Sequence, residues 1–219
     1  MFEDLHWIGH ASFYIEYKDF VVYIDPFRVP DKISKENKAD LILITHAHFD
    51  HFSKPDIDKI KKGSTLIITS TQTLKEDDKV MIATPGFRYS FEGIDIEAVA
   101  AYNTKKERLN FHPKSNKWVG YVLKTSEYTL YHAGDTDFIN EMKALKGIDL
   151  SLLPAGGTYT MDIYEAIEAA NTIDTKYAAP IHYKNLLGMD GSKKAEETFK
   201  EKVSKALILK EVQEPTYSF

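Results

Sequence analysis

Short runs of β-branched and aromatic residues, each closed by polar or turn-forming positions, dominate the pattern of this chain. They predict strands at 13–17, 20–24, 41–44, 65–68, 94–99, 119–123, 128–131, 150–153 and 177–180. Lys18-Asp19 between the first two predicts a hairpin turn, with Phe13, Ile15 and Tyr17 sharing one face. Helical periodicity is rarer, at 55–62, 139–146, 161–172 and 193–206. The third of these opens with Asp162 and Glu165 in capping-box spacing and sets Ile163, Ile167 and Ala170 along one side. Strands outnumber helices, and the two interleave late in each half. A layered α/β fold with mixed sheets fits this better than a regularly alternating wound sheet.

A short internal echo runs through the pattern. VVYIDP at 21–26 followed by ADLILIT at 39–45 is answered by TLYHAGDT at 129–136 followed by IDLSLLP at 148–154. Two similar half-sheets would produce it, and so would chance.

Composition narrows the chemistry. The 219 residues, 43% hydrophobic and 28% charged, suit one soluble globular domain spanning 1–219. There is no cysteine, which removes disulfides, thiolate nucleophiles, cysteine-held zinc and thiolate-held iron–sulfur clusters. Any metal must rest on His, Asp and Glu. A net charge of −5 argues against a nucleic-acid partner held by bulk charge. MFEDLHWIGH has neither the basic nor the apolar region of a leader, and no apolar run approaches a membrane span. The expectation is a cytoplasmic protein with no membrane or nucleic-acid partner, acting on a small molecule. Monomer and homo-oligomer are both compatible with this.

The strongest chemical signal is His46-Ala47-His48-Phe49-Asp50-His51. At this composition an H-x-H-x-D-H match arises by chance in roughly one such chain in a thousand. It sits on the loop leaving the apolar run 41–44, where a rigid scaffold offers ligands to a site. His46 and His48, two apart in extended backbone, can point at one ion. Asp50 and His51, adjacent and divergent, suit a second ion about 3.5–4 Å away, the spacing that lets a pair of ions activate a hydroxide between them. Ligation by N and O without sulfur suits zinc, with manganese and iron as alternatives.

T-H-A-H-F-D-H resembles the signature of the metallo-β-lactamase fold superfamily. The likeness continues through W-I-G-H-A-S-F-Y-I-E at 7–16, I-D-P-F at 24–27, Y-H-A-G-D-T at 131–136, L-P-A-G-G-T-Y-T-M at 153–161 and P-I-H-Y at 180–183. The set is similar to the small intracellular metal-dependent hydrolases related to ascorbate-6-phosphate lactonases. The resemblance implies a four-layer αββα sandwich and a dinuclear site. It implies that His46 and His48 bind the first metal, that Asp50, His51 and His182 bind the second, and that Asp135 bridges both.

One position departs from the superfamily. The resemblance implies a third histidine for the first metal just after the strand corresponding to 94–101, and there the chain reads Ala101-Tyr102-Asn103. The nearest histidine is His112, which would have to fold back over the site; it is taken as the third ligand, with Asn103 lining the site. Asp25, at a strand end, is expected to orient a ligating imidazole. His10 either faces the site or caps a turn, and His132 belongs to the core. Loop 104–117 carries Lys105, Lys106, Arg108, Lys114 and Lys117 against Glu107. Its cations would steer an anionic substrate if they rim the site.

The function expected is hydrolysis of an ester, lactone or phosphoester by a hydroxide held between two zinc ions. Asp135 would bridge the ions, and Asp50 would also orient the hydroxide and carry its proton. Tyr159 and the amides of Gly156 and Gly157 are candidates to support a developing oxyanion. The alternatives are a phosphodiesterase or nuclease using the same site, and a non-catalytic binding protein that keeps the fold.

Overall fold

Leu41, Ile42, Leu43 and Ile44 are all fully buried, as an unbroken apolar run demands of a strand covered on both faces. They form the centre of a mixed six-stranded sheet. The computed structural model describes residues 2–71 and 79–212. The chain divides into two compact units, the first running to Ala83 and including residues 210–212, the second spanning Thr84–Leu209.

The first unit contains β1 (Leu5–Gly9), β2 (Ser12–Tyr17), β3 (Phe20–Ile24), β4 (Ala39–Ile44), β5 (Lys61–Thr69) and β6 (Lys79–Ile82), side by side in that order. β1 to β3 form an antiparallel meander, and β3 to β6 run parallel. The turn at Lys18 is the expected hairpin, with φ +55° at that residue. Helices α1 (Asp31–Glu36) and α2 (Lys54–Ile60) make the crossovers on either side of β4. Ser53 caps α2, and a proline occupies its first turn. Ile57 and Ile60 of that helix join Ile8, Tyr14, Tyr23, Ile42, Ile44 and Ile67 in the core of this unit.

The second unit repeats the plan. β7 (Arg88–Phe91), β8 (Ile94–Ala100), β9 (Val119–Lys124), β10 (Thr129–His132), β11 (Ile148–Pro154) and β12 (Thr175–Ile181) form a six-stranded sheet. β7 to β10 are antiparallel, and β10 to β12 are parallel. A Cβ on Gly120 would lie 2.6 Å from the backbone oxygens of His132 and Ala133, so only glycine lets β9 approach β10 there. α3 (Ile163–Thr172) carries the full capping box of Asp162 and Glu165. α4 (Lys184–Lys202) starts nine residues before the periodic segment and is broken at Gly188, whose φ is +66°. The expected helix at 139–146 is only a 3₁₀ segment, Asn140–Ala144. Its few residues, ended by Gly147 at φ +64°, are too short to sustain α-helical nucleation. Among the described residues no helix is long and apolar enough to cross a membrane.

The echo in the sequence corresponds to matched hydrogen bonds. Asp40 accepts from the N–H of Val21 at 3.0 Å, and Asp149 accepts from the N–H of Thr129 at 2.7 Å. Lys62 pairs with Asp40 and Lys176 with Asp149, each at 2.6 Å. Asp25 N–H donates to Leu43 O, and Ala133 N–H donates to Leu152 O. Positions 21, 25, 40 and 43 thus answer to 129, 133, 149 and 152. The partner of Asp25 in the second half is Ala133, two residues before Asp135.

Candidate metal centre

In the first unit the H-x-H-x-D-H loop leaves the end of β4, and Asp25 stands at the end of the neighbouring β3. Asp25 is fully buried with φ +47°, a left-handed conformation that Asp tolerates better than most residues. Its carboxylate accepts from the N–H of Thr45 at 2.8 Å, from the Thr45 hydroxyl at 2.6 Å and from Nδ1 of His51 at 2.7 Å. His51 therefore keeps its proton on Nδ1 and presents Nε2 as a donor atom for a metal. Because the Thr45 hydroxyl donates to Asp25, its oxygen is left to accept from Nδ1 of His46 at 3.0 Å. One carboxylate thus orients two imidazoles. His46 Nε2 and His48 Nδ1 converge to 3.1 Å. Asp25, His46 and His51 together offer ligand atoms within 4.8 Å of one another. His10, a buried residue with φ +54°, places Nε2 3.0 Å from Oδ2 of Asp50; it faces the ligand loop rather than capping a turn.

In the second unit Asp135 follows β10, His182 follows β12 and His112 arrives on the loop after β8. Nε2 of His112 and Nε2 of His182 each lie 3.3 Å from the same oxygen of Asp135. All three side chains are nearly inaccessible. His182 has φ +56°, a strained conformation of the kind that collects at functional sites. A Cβ on Gly156 would fall 2.5 Å from His182 O, so that glycine is what admits the backbone of His182.

His112 does fold back, and the reason is at the neck of its loop. Asn103 N–H donates to His112 O at 2.8 Å, His112 N–H donates to Asn103 Oδ1 at 3.1 Å, and His112 Nδ1 meets the same oxygen at 2.8 Å. The nine-residue displacement is closed into a compact loop. Asn103 also donates to Asp137 Oδ1 at 3.0 Å and to Tyr159 O at 3.1 Å.

The basic loop differs from its expected role. Arg108 is buried and bound by Asp137 at 2.9 Å, by both oxygens of Glu165 at 2.9 Å and by the carbonyls of Gly157 and Thr160. Lys105 pairs with Glu165 at 2.6 Å, and Lys114 pairs with Glu141 at 3.2 Å. Three of the five cations therefore tie the loop to the protein, Arg108 from a buried position and Lys105 and Lys114 as exposed lysines in ion pairs. Arg108 was expected only as one of the loop's substrate-steering cations, and Asp137 was not singled out in the sequence. Asp137 stands two positions beyond Asp135 in the G-D-T-D segment, and that proximity was the available signal. Tyr159 turns its ring edge-on to Phe111 at 4.8 Å, and Gly157 N–H donates to Met161 O at 3.0 Å, so that amide is already committed. His132 is fully buried in the core, as expected.

Glu165 gives this clamp a pH dependence. Burial raises its pKa, but hydrogen bonds from Lys105, from the Asp162 N–H and from Arg108 outweigh burial and hold the carboxyl below the usual glutamate range. Its stabilisation is complete above the unfolded-state value of about 4.3 and fades as pH falls through the lower folded value. Glu165→Gln should lower stability by ~1–3 kcal/mol at pH 7. The difference from wild type should close below pH ~4 in urea unfolding curves. A difference that persists unchanged at low pH would contradict the clamp.

A family model described as a β-lactamase superfamily domain matches residues 4–182. The chain belongs to the metallo-β-lactamase superfamily. A UPF0173 metal-dependent hydrolase of Thermoplasma volcanium is 35% identical over 81% of this chain and 82% of that protein. The crystal structure of a Parabacteroides distasonis protein described as a metal-dependent hydrolase matches with a TM-score of 0.80 at 32% identity. That match covers 95% of this chain and 93% of the other. Superfamily membership gives this chain the superfamily's fold, and the fold carries more than one chemistry. CmlA, a diiron β-hydroxylase from Streptomyces venezuelae, shares it at 12% identity, with a TM-score of 0.68 over 94% of this chain and 52% of that one.

Proposed function

We propose that this metallo-β-lactamase superfamily member is a metal-dependent hydrolase whose 219 residues act as a single domain with a dinuclear zinc centre. In this reading His46, His48 and His112 hold the first ion, Asp50, His51 and His182 hold the second, and Asp135 bridges them. The observation that carries the reading is the convergence of imidazole nitrogens on carboxylate, with His112 and His182 both 3.3 Å from one oxygen of Asp135. A donor set of imidazole and carboxylate, without sulfur, fits zinc. When bound, a pair of such ions lowers the pKa of water toward 7 and polarises a substrate oxygen.

The chain's own groups supply orientation. Asp25 fixes the rings of His46 and His51, and His10 fixes Asp50. Asp50 is the group positioned to take and return a proton during attack on an ester, lactone or phosphoester. The anionic substrate suggested by the basic loop would be met by Lys106 and Lys117, since the other three cations are paired.

The test is to strip the protein with a chelator, reload zinc, manganese or iron, and assay esters, lactones and phosphodiesters. One matched pair of a charged and a neutral ester belongs in the panel. Two zinc ions per chain, with hydrolysis that disappears on stripping and returns on reloading, is the expected result. A fully loaded protein that turns over no member of the panel would refute the reading.

A further inference from the structure

We propose that Asp137, backed by Arg108, decides which ring nitrogen of His112 is offered to the metal, and that it does so through the side-chain amide of Asn103. The inference rests on the assignment of His112 as a ligand made above.

Asp137 is surrounded by donors. Arg108 Nε lies 2.9 Å from Oδ1, and the N–H groups of Thr104 and Lys105 lie 2.7 and 3.0 Å from Oδ2, with the Thr104 hydroxyl at 3.2 Å. Every proton in this group arrives from a neighbour, so the carboxylate only accepts. Asn103 must then turn its NH₂ toward Asp137 Oδ1, and its second proton goes to the carbonyl of Tyr159. Two acceptors on one side fix the amide orientation. Its oxygen is thereby committed to the other side, 3.1 Å from the N–H and 2.8 Å from Nδ1 of His112. An amide oxygen cannot donate, so Nδ1 carries the ring proton. Nε2 keeps its lone pair and faces Asp135.

Without Asp137 the amide orientation rests only on the Tyr159 carbonyl and the His112 N–H and is less firmly fixed. In the share of molecules where it flips, its NH₂ would donate to Nδ1, the ring proton would move to Nε2, and the metal-facing nitrogen would become a donor that repels a cation. Asn103, Asp137 and Arg108 are therefore positioning residues. They hold a histidine supplied by a loop in the tautomer that a metal ligand needs.

Histidine side-chain ¹⁵N–¹H NMR of the metal-free protein at pH 8 reads the tautomer directly, with His112 assigned by its absence in His112→Ala. Wild type should show His112 protonated at Nδ1. Asn103→Leu, close in size but without the amide, and Asp137→Asn should each move the proton wholly or partly to Nε2. Competition with a chelator should show that both variants hold one of the two zinc ions 10–100-fold more weakly, as loss of an orienting partner does, and the other ion normally. His112 protonated at Nε2 in wild type would overturn the proposal, and that spectrum requires no variant to fold. Unchanged tautomer and zinc affinity in both variants would overturn it as well. If wild type shows the Nδ1 tautomer but takes up no zinc, the dinuclear zinc reading fails and the positioning chain stands.

Discussion

Asp135→Asn should lower kcat/KM on any substrate the enzyme turns over by on the order of 10³-fold, about 4 kcal/mol of transition-state stabilisation. Asn fills the same volume at this buried position but removes the charge that faces both His112 and His182. A neutral amide bridges two cations poorly, and its NH₂ would turn a donor toward one of them. Metal content should fall below two ions per chain. The metal-free melting temperature should stay within about 4 °C of wild type, because no packing is lost. Activity within tenfold of wild type, at equal protein and metal, would mean that Asp135 does not hold the ions.

Asp25→Asn should act on folding and on metal together. Asn accepts the φ of +47° as readily as Asp, so the backbone is not the variable. The variable is polarity, because Thr45 and His51 all point donors at this carboxylate. An amide can satisfy them with one oxygen only, and its NH₂ meets a donor. Breaking this buried, charge-assisted network should cost ~3 kcal/mol, a fall in melting temperature of roughly 6–12 °C for a chain of this size. His51 and His46 would also be free to change tautomer, weakening zinc binding 10–100-fold. Thermal unfolding of the metal-free variant and chelator competition separate the two effects. A variant as stable as wild type that loads zinc normally would show that Asp25 orients neither ring.

The ligand loop was legible because its residues are contiguous: four donors in six positions are visible in one dimension, and the strand that delivers them is uniformly apolar. The strands that escaped the pattern are β1, β6 and β7, all of them at sheet edges. They are only four or five residues long, and β6 and β7 have no buried residue, so none stands out as a run, although Arg88-Tyr89-Ser90-Phe91 does alternate. Helix α1, with a single buried residue, escaped for a related reason.

His112 could be read as a displaced histidine, but the clamp that places it could not. Arg108, Lys105 and Lys114 look like solvent-facing charge in the sequence, since their carboxylates lie 27 to 60 positions away. Glu165 was legible as half of a capping box. Its second duty, holding Arg108, leaves no trace in local spacing.

The matched bonds of the two sheets put Asp40 and Asp149 to the same task. Positions 25 and 133 are not used alike: the first unit turns its carboxylate inward on Thr45 and His51, while the second carries its acid two residues later, facing His112 and His182. One carboxylate could not both brace a loop and be given to an ion, and two sheets of the same plan let positions 25 and 135 divide these tasks.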